Sequence, residues 1–312
     1  MFVYHKLFRS ITSFLILMLL LSVFSCSSPR EILISGRVTP KGEIRAGGHF
    51  SGNISTMTAG ALNDAKDAMT ETSINSISSQ NTVLYNEPLK NISRAVASYS
   101  LDPIGANTGF YFRYGLGRNF DLGYRRSSGV NIFSSMYQFM GSDSLKEQKS
   151  SVFGSIGLQY SSQEPTKILE KLYIDKISFL LNYNFNRKDI IVPIVFSKSF
   201  GENEKYGSIS WGASYNFSMI EYGYNPVKIF SSALGSPASL KAFTEKINFS
   251  SYGLFCNIKG GYKKVFAIFS LSAYYQNITN VKLLDMQTTK LSGFTFVPAL
   301  ALQFQFSRSN KK

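Results

Sequence analysis

The chain has 312 residues, enough for one large β domain or two ordinary ones. Aromatic residues make up 14% of it, with 26 Phe, 18 Tyr and one Trp, while charged residues are only 17%, against about 25% in soluble domains. The net charge of +14 does not signal nucleic acid: basic residues are scattered, and many fall in connections such as Lys146–Lys149 and Asn310–Lys312. Acidic lipid or lipopolysaccharide headgroups suit that charge better.

In chain order, Lys6 and Arg9 precede an apolar run, Ile11–Phe24, of about 14 residues. A transmembrane helix needs about 20, so residues 1–25 read as an export signal outside the fold. Val23-Phe24-Ser25-Cys26 resembles a lipobox, which makes Cys26 the expected lipidation site; cleavage nearby with Cys26 unmodified is the alternative. Residues 26–40 read as an exposed tether. The other cysteine, Cys256, shares a strand face with Tyr252, Leu254 and Ile258 and reads as a free thiol acting as a small hydrophobe.

Strands begin at Lys41–Phe50, where Ile44, Ala46, Gly48 and Phe50 alternate with Glu43, Arg45, Gly47 and His49. Residues 53–107 break the alternation; Ala59–Thr70 and Glu87–Ser98 have helical composition, so a long, partly helical insertion is expected. Alternation resumes at Thr108–Leu116 and, after a turn at Gly117–Asn119, in Phe120–Arg125. Further strands are expected at Asn131–Met140, Ser151–Ser162, Lys176–Asn186, Ile190–Phe200, Gly207–Met219, Ile247–Gly260, Val265–Gln276 and Phe294–Phe306, with a weaker one at Tyr222–Ser231. In Gly207–Met219 the side bearing Trp211, Tyr215 and Phe217 is apolar, while the other carries serine, glycine and asparagine. Phe304 and Phe306 end the last strand on the same kind of apolar face.

A soluble sandwich also alternates, but its outer face carries lysine and glutamate. Here the polar faces are Ser, Asn, Gln and Gly, and segments of about ten residues match tilted transmembrane strands. The expected fold is all-β, an antiparallel up-and-down transmembrane barrel over residues 41–306, with a tail at 307–312. Trp211, Tyr215, Phe217, Phe304 and Phe306 would face lipid. If short connections lie on one side of the membrane, turns at Gly117–Asn119, Arg187–Asp189, Ile220–Glu221 and Gly261–Lys264 give about twelve strands, with ten as runner-up.

Cys26, the Val38-Thr39-Pro40-Lys41-Gly42-Glu43 stretch and the Arg113–Gly123 hairpin together resemble outer-membrane β-barrel lipoproteins of diderm bacteria. The resemblance implies the bacterial outer membrane, contact with its assembly machinery, and a porin-like or structural role with no defined substrate. Such barrels often end on an aromatic; here Ser307–Lys312 follow Phe306.

With the apolar faces on lipid, Glu43, Arg45, His49, Arg113, Asp121 and Arg125 fall in the lumen, because charge on the lipid face is costly. They are expected to form a stiffening salt-bridge network or a cationic constriction favouring anions. No catalytic set, metal spacing or cofactor motif is present, so no enzyme and no cofactor are expected. Two alternatives are a globular β-rich surface lipoprotein acting as a binding module and a barrel-embedded hydrolase using His49.

Overall fold

The computed structural model describes residues 29–79, 86–141, 152–163, 183–201, 204–224, 242–262, 264–283 and 287–306. Ten antiparallel strands of these residues close into one barrel: β1 (Ile44–Ser55), β2 (Gly105–Gly115), β3 (Phe120–Ser127), β4 (Val130–Met140), β5 (Val152–Gln163), β6 (Tyr183–Phe200), β7 (Gly207–Tyr224), β8 (Phe243–Tyr262), β9 (Val265–Lys282) and β10 (Thr288–Phe306). Each strand pairs with its neighbour in sequence, and β1 closes the ring on β10 from Ile44↔Phe306 to Ser55↔Thr295. Closure pairs both edges of the sheet along the length of the shorter strands.

Ten strands replace the expected twelve, and continuous pairing is the reason. Arg187–Asp189, read as a turn, lies inside β6 and pairs without a break with Ser218–Ile220 of β7. Ile220–Glu221, also read as a turn, lies inside β7. Of the expected strand Lys176–Asn186, Tyr183–Asn186 open β6, and residues 176–182 lie outside the described residues. Of the weak strand Tyr222–Ser231, Tyr222–Tyr224 finish β7, and residues 225–231 lie outside the described residues. Arg187-Lys188-Asp189 looked like a turn because Arg187 and Asp189, which face the lumen, carry no signal of burial.

The two barrel ends differ. The lower end holds the start of β1, the end of β10 and the turns after β2, β4, β6 and β8. The upper end holds the insertion between β1 and β2, which forms helices α1 (Thr56–Ser79) and α2 (Asn86–Leu101). The expected helical segments fall within these. The Thr58 amide donates to Ser55 Oγ at 3.3 Å, capping the start of α1. Ala61, Ala65 and Ala95 let the helices pack closely. The β3–β4 connection, also at the upper end, is Ser128–Gly129 alone, with φ of 48° and 86° as a two-residue hairpin turn requires.

Wall height is uneven. Strands β1–β5 have 8 to 12 residues and β6–β10 have 18 to 20. About 9–11 residues cross a bilayer, so the long strands rise well past the short ones at the upper end.

Candidate functional site

The outer surface is a continuous apolar belt edged by aromatic rings. Pairing sets Tyr215 beside Tyr252, Tyr252 beside Tyr275 and Tyr275 beside Phe294, an upper row across four strands. Ring centroids are 5.5 Å apart for Tyr215–Tyr252 and 5.2 Å for Tyr275–Phe294. On the short side Tyr124, Phe133 and Tyr160 continue such a row. Below, Phe120, Phe200, Tyr206, Tyr262 and Phe306 are exposed, with Tyr206 stacked on Tyr262. Between the rows stand outward aliphatics such as Leu254, which is 70% exposed, a position leucine would not hold against water. The ten-residue rise from Tyr252 to Tyr262 spans roughly 25 Å at about 3.3 Å per residue and a 40° tilt, the height of a hydrocarbon band.

The residues expected to face lipid all point outward: Trp211, Tyr215, Phe304 and Phe306 are exposed and Phe217 is half-buried. Cys256 is a free thiol on the same surface. Cys26 lies outside the described residues.

Above the upper row the pattern inverts. Outward positions become polar, with Thr244, Lys246, Asn248, Asn277, Thr279, Lys290 and Ser292 exposed. Inward positions become apolar: Phe185, Ile220, Tyr222, Ile247, Phe249, Ile278, Val281 and Leu291 pack on Met57, Ala97 and Leu101 of the helices. In the tall half the upper lumen is a hydrophobic core closed by α2. Polar outside and apolar inside is the pattern of a sheet standing in water.

The lower lumen is occupied by the chain's own N-terminal segment. Residues 29–39, expected to belong to an exposed tether, are mostly buried and run extended through the barrel. Their contacts climb the wall in order. The Thr39 amide donates to Asp121 Oδ2 at 2.7 Å near the lower rim, and the Val38 amide to Gln138 Oε1 at 3.2 Å. The Ile34 carbonyl accepts from Asn257 at 3.0 Å and the Ile32 carbonyl from Ser270 at 3.0 Å. At the top, the Arg30 carbonyl accepts from Tyr274 at 2.7 Å. Serine, asparagine and glutamine of the inner wall thus replace water for a strand that has no sheet partner. Side chains alternate between walls: Ile32 and Val38 join Met136, Val195 and Phe255, while Leu33 joins Tyr111, Ile268, Ala299 and Ala301. At Gly36 the segment approaches so closely that a Cβ would stand 2.5 Å from the Phe153 carbonyl oxygen and 2.8 Å from the Ser197 nitrogen.

The ionic network is built on this segment. Arg45, His49, Arg113, Asp121 and Arg125 all enter it, as partners of the segment or of one another. Arg113 pairs with Asp121. Arg125 Nη1 donates to the Glu31 carbonyl at 2.7 Å and stands 3.4 Å from its carboxylate. Arg45 and Lys259 share Glu204, to which Ser35 Oγ donates at 2.7 Å. Glu43 is half-buried just before β1 and has no ion pair among those found in the described residues. Arg30 pairs with Asp102 at 3.4 Å, both fully buried, and donates to Gln276 at 3.1 Å. Arg187 pairs with Asp189 at 2.8 Å and donates to the Leu101 carbonyl, also at 2.8 Å.

Sequence reading missed Arg30, Glu31, Asp102, Arg187, Asp189, Glu204 and Lys259. One signal was available: Arg30–Val38 carries four aliphatics among its charges, which is poor composition for a solvated tether. No local pattern marks Glu204, which reaches the lumen from the β6–β7 turn. Burial alone would raise its pKa, but the Lys259 ammonium and the Arg45 guanidinium outweigh this and hold it at about 2.

His49 Nε2 stands 2.9 Å from Glu31 Oε1 and 3.1 Å from Ser127 Oγ, while Nδ1 is buried without a partner. A serine triad needs its nucleophile and its carboxylate on opposite ring nitrogens. Here both lie on one. Cavities of about 20 and 30 Å³ lie between Leu33–Ile34 of the segment and the wall, room for one or two waters each. Among the described residues no group of three His, Cys, Asp or Glu side chains is placed to hold a metal ion.

No protein-family model and no curated protein matches the chain. Solved structures similar to it include the attachment invasion locus protein Ail of Yersinia pestis, at 10% identity and a TM-score of 0.29, covering 85% of this chain and 99% of that one. The N-terminal β-barrel domain of Pseudomonas aeruginosa OprF aligns at 8% identity and a TM-score of 0.24, covering 86% and 100%. The outer membrane protease OmpT of Escherichia coli aligns at 6% identity and a TM-score of 0.37, covering 86% and 98%. Likeness at this level transfers no role; what is established for this chain is the closed antiparallel barrel of its own strand pairing.

Proposed function

We propose that this is a bacterial outer-membrane β-barrel with a structural role, its lumen closed by its own N-terminal segment and its helical insertion displayed on the outer face. The observation that carries this reading is the filled lumen inside an apolar belt: the outer surface suits lipid, and the inner space is taken up by residues 29–39 and by α2. The orientation is taken from the start of β1, the end of β10 and most short turns sharing the lower end, the side that outer-membrane barrels turn towards the periplasm. In this reading Cys26 carries the lipid anchor, outer-membrane lipid and lipopolysaccharide surround the belt, and the assembly machinery inserts the barrel. The geometry around His49 favours a structural over a catalytic histidine. A globular binding module would leave the aromatic belt facing water.

A second reading is a passive pore favouring anions, and one observation supports it. With the segment displaced, Arg45, Arg113 and Arg125 would line a lumen that has lost the Glu31 carboxylate. Planar-bilayer recording of the intact, heat-modifiable protein separates the two. Silence is the expected result. Steady anion-biased conductance, with the bias lost in Arg113→Ser plus Arg125→Ser, would replace the structural reading with the pore.

A further inference from the structure

The path of residues 29–40 fixes more than a filled lumen. Pro40 is at the lower rim, where its carbonyl accepts from the Glu43 amide at 3.0 Å and Gly42 donates to Gly115 at 2.9 Å. Arg30 is at the level of Tyr274 and Gln276, beside the row of aromatics that bounds the belt above. Asp102, directly after α2, is its ion partner. The ten steps from Arg30 to Pro40, at about 3.3 Å each, cover roughly 33 Å when extended, enough to cross the belt once. A return passage would need a second extended strand in the lumen, with its own backbone partners. Of the space beside the segment, the two cavities lined by Leu33 and Ile34, about 20 and 30 Å³, are each too small for a strand.

We infer that the chain enters the lumen from the helix-capped end, so that whatever precedes Pro29 stands on the same side of the membrane as α1 and α2, opposite the C-terminal end of β10. The barrel start and the mature N-terminus are then on opposite faces, although only a short segment separates them. An acyl group on Cys26 would enter the leaflet on the helix side. Under the orientation proposed above, that is the outer leaflet, and the anchor and the helices are displayed together.

The test uses two versions of the full chain, one with a short epitope between Ser28 and Pro29 and one with the same epitope after Lys312, both checked for heat-modifiable migration. Antibody access is compared in intact and permeabilised cells. The expected result is opposite access: the front epitope is labelled in intact cells and the rear one only after permeabilisation. Labelling of both under the same condition overturns the inference. So does a front epitope that stays hidden after permeabilisation while the rear one is labelled, because the segment would then not clear the barrel. Opposite access with the rear epitope outside upholds the inference and overturns only the orientation under the proposed function. Should the rear epitope block assembly, one in the Gly117–Asn119 turn marks the same face. Should the front epitope do so, Ser27→Cys in a Cys256→Ser background, read with an impermeant maleimide, gives the same comparison.

Discussion

The short-walled half, β1–β5, and the tall-walled half, β6–β10, solve the interior of one barrel in different ways. The short half meets the lumen with Arg45, His49, Arg113, Asp121 and Arg125, and neutralises them with Glu31, Glu204 and one another. The tall half lines the same depth mostly with uncharged serine, asparagine and glutamine, Lys259 being its charged exception there, then switches above the upper aromatic row to Phe249, Ile278, Val281 and Leu291 around Leu101, beside the Arg187–Asp189 pair. The surroundings explain the difference. At the depth of the apolar belt the outer side chains are apolar, so inner polarity is free to serve the threaded segment. Above that depth the outer face is wet, and the apolar side turns inward to bury α2.

The largest effect should come from the tall half. Leu101→Ala empties a fully buried position and should cost about 2–5 kcal/mol. If the upper core is a separate layer, the helices should become protease-sensitive while heat-modifiable migration persists; loss of that migration would show one cooperative unit.

Next comes the lower lock around Glu204. Its pKa of about 2 lies below the ordinary 4.5, so the carboxylate contributes stability that is fully present above pH 4.5 and lost as pH falls through 2. The loss should be on the order of 3 kcal/mol at most. Thermal midpoints of the heat-modifiable form, taken from pH 7 down to pH 2, should fall on the acid side, with a smaller fall in Glu204→Gln. An equal fall in both would assign the acid effect to other carboxylates.

The smallest effect belongs to Lys246, whose 3.7 Å pair with Glu221 sits on the wet outer face of the extension, with side chains 77% and 45% exposed. Lys246→Ala should change stability by under about 0.5 kcal/mol. A larger loss would mean that this surface is covered.

Much of the wall was legible because alternation is local. Trp211 and Tyr215 against Ser210 and Ser214, or Phe304 and Phe306 against Gln303 and Gln305, declare their faces within a few residues. Strand continuity was harder. Arg187-Lys188-Asp189 resembles a polar turn, yet Arg187 and Asp189 share the inner face and pair there, and Lys188 points outward between them. The N-terminal segment was least legible, because its partners lie far away in the chain: Arg30 meets Asp102 and Gln276, and Glu31 meets Arg125 and His49.

By itself the sequence determined a two-faced, lipid-compatible wall and a helical interruption after the first strand, since both follow from side-chain spacing along single segments. Only the tertiary structure decided that ten strands close the ring, that the tall half turns its apolar side inward, and that the chain threads its own lumen. Those outcomes depend on which distant groups meet, and a buried charge or an unpaired backbone amide finds its partner only once the ring has formed around it.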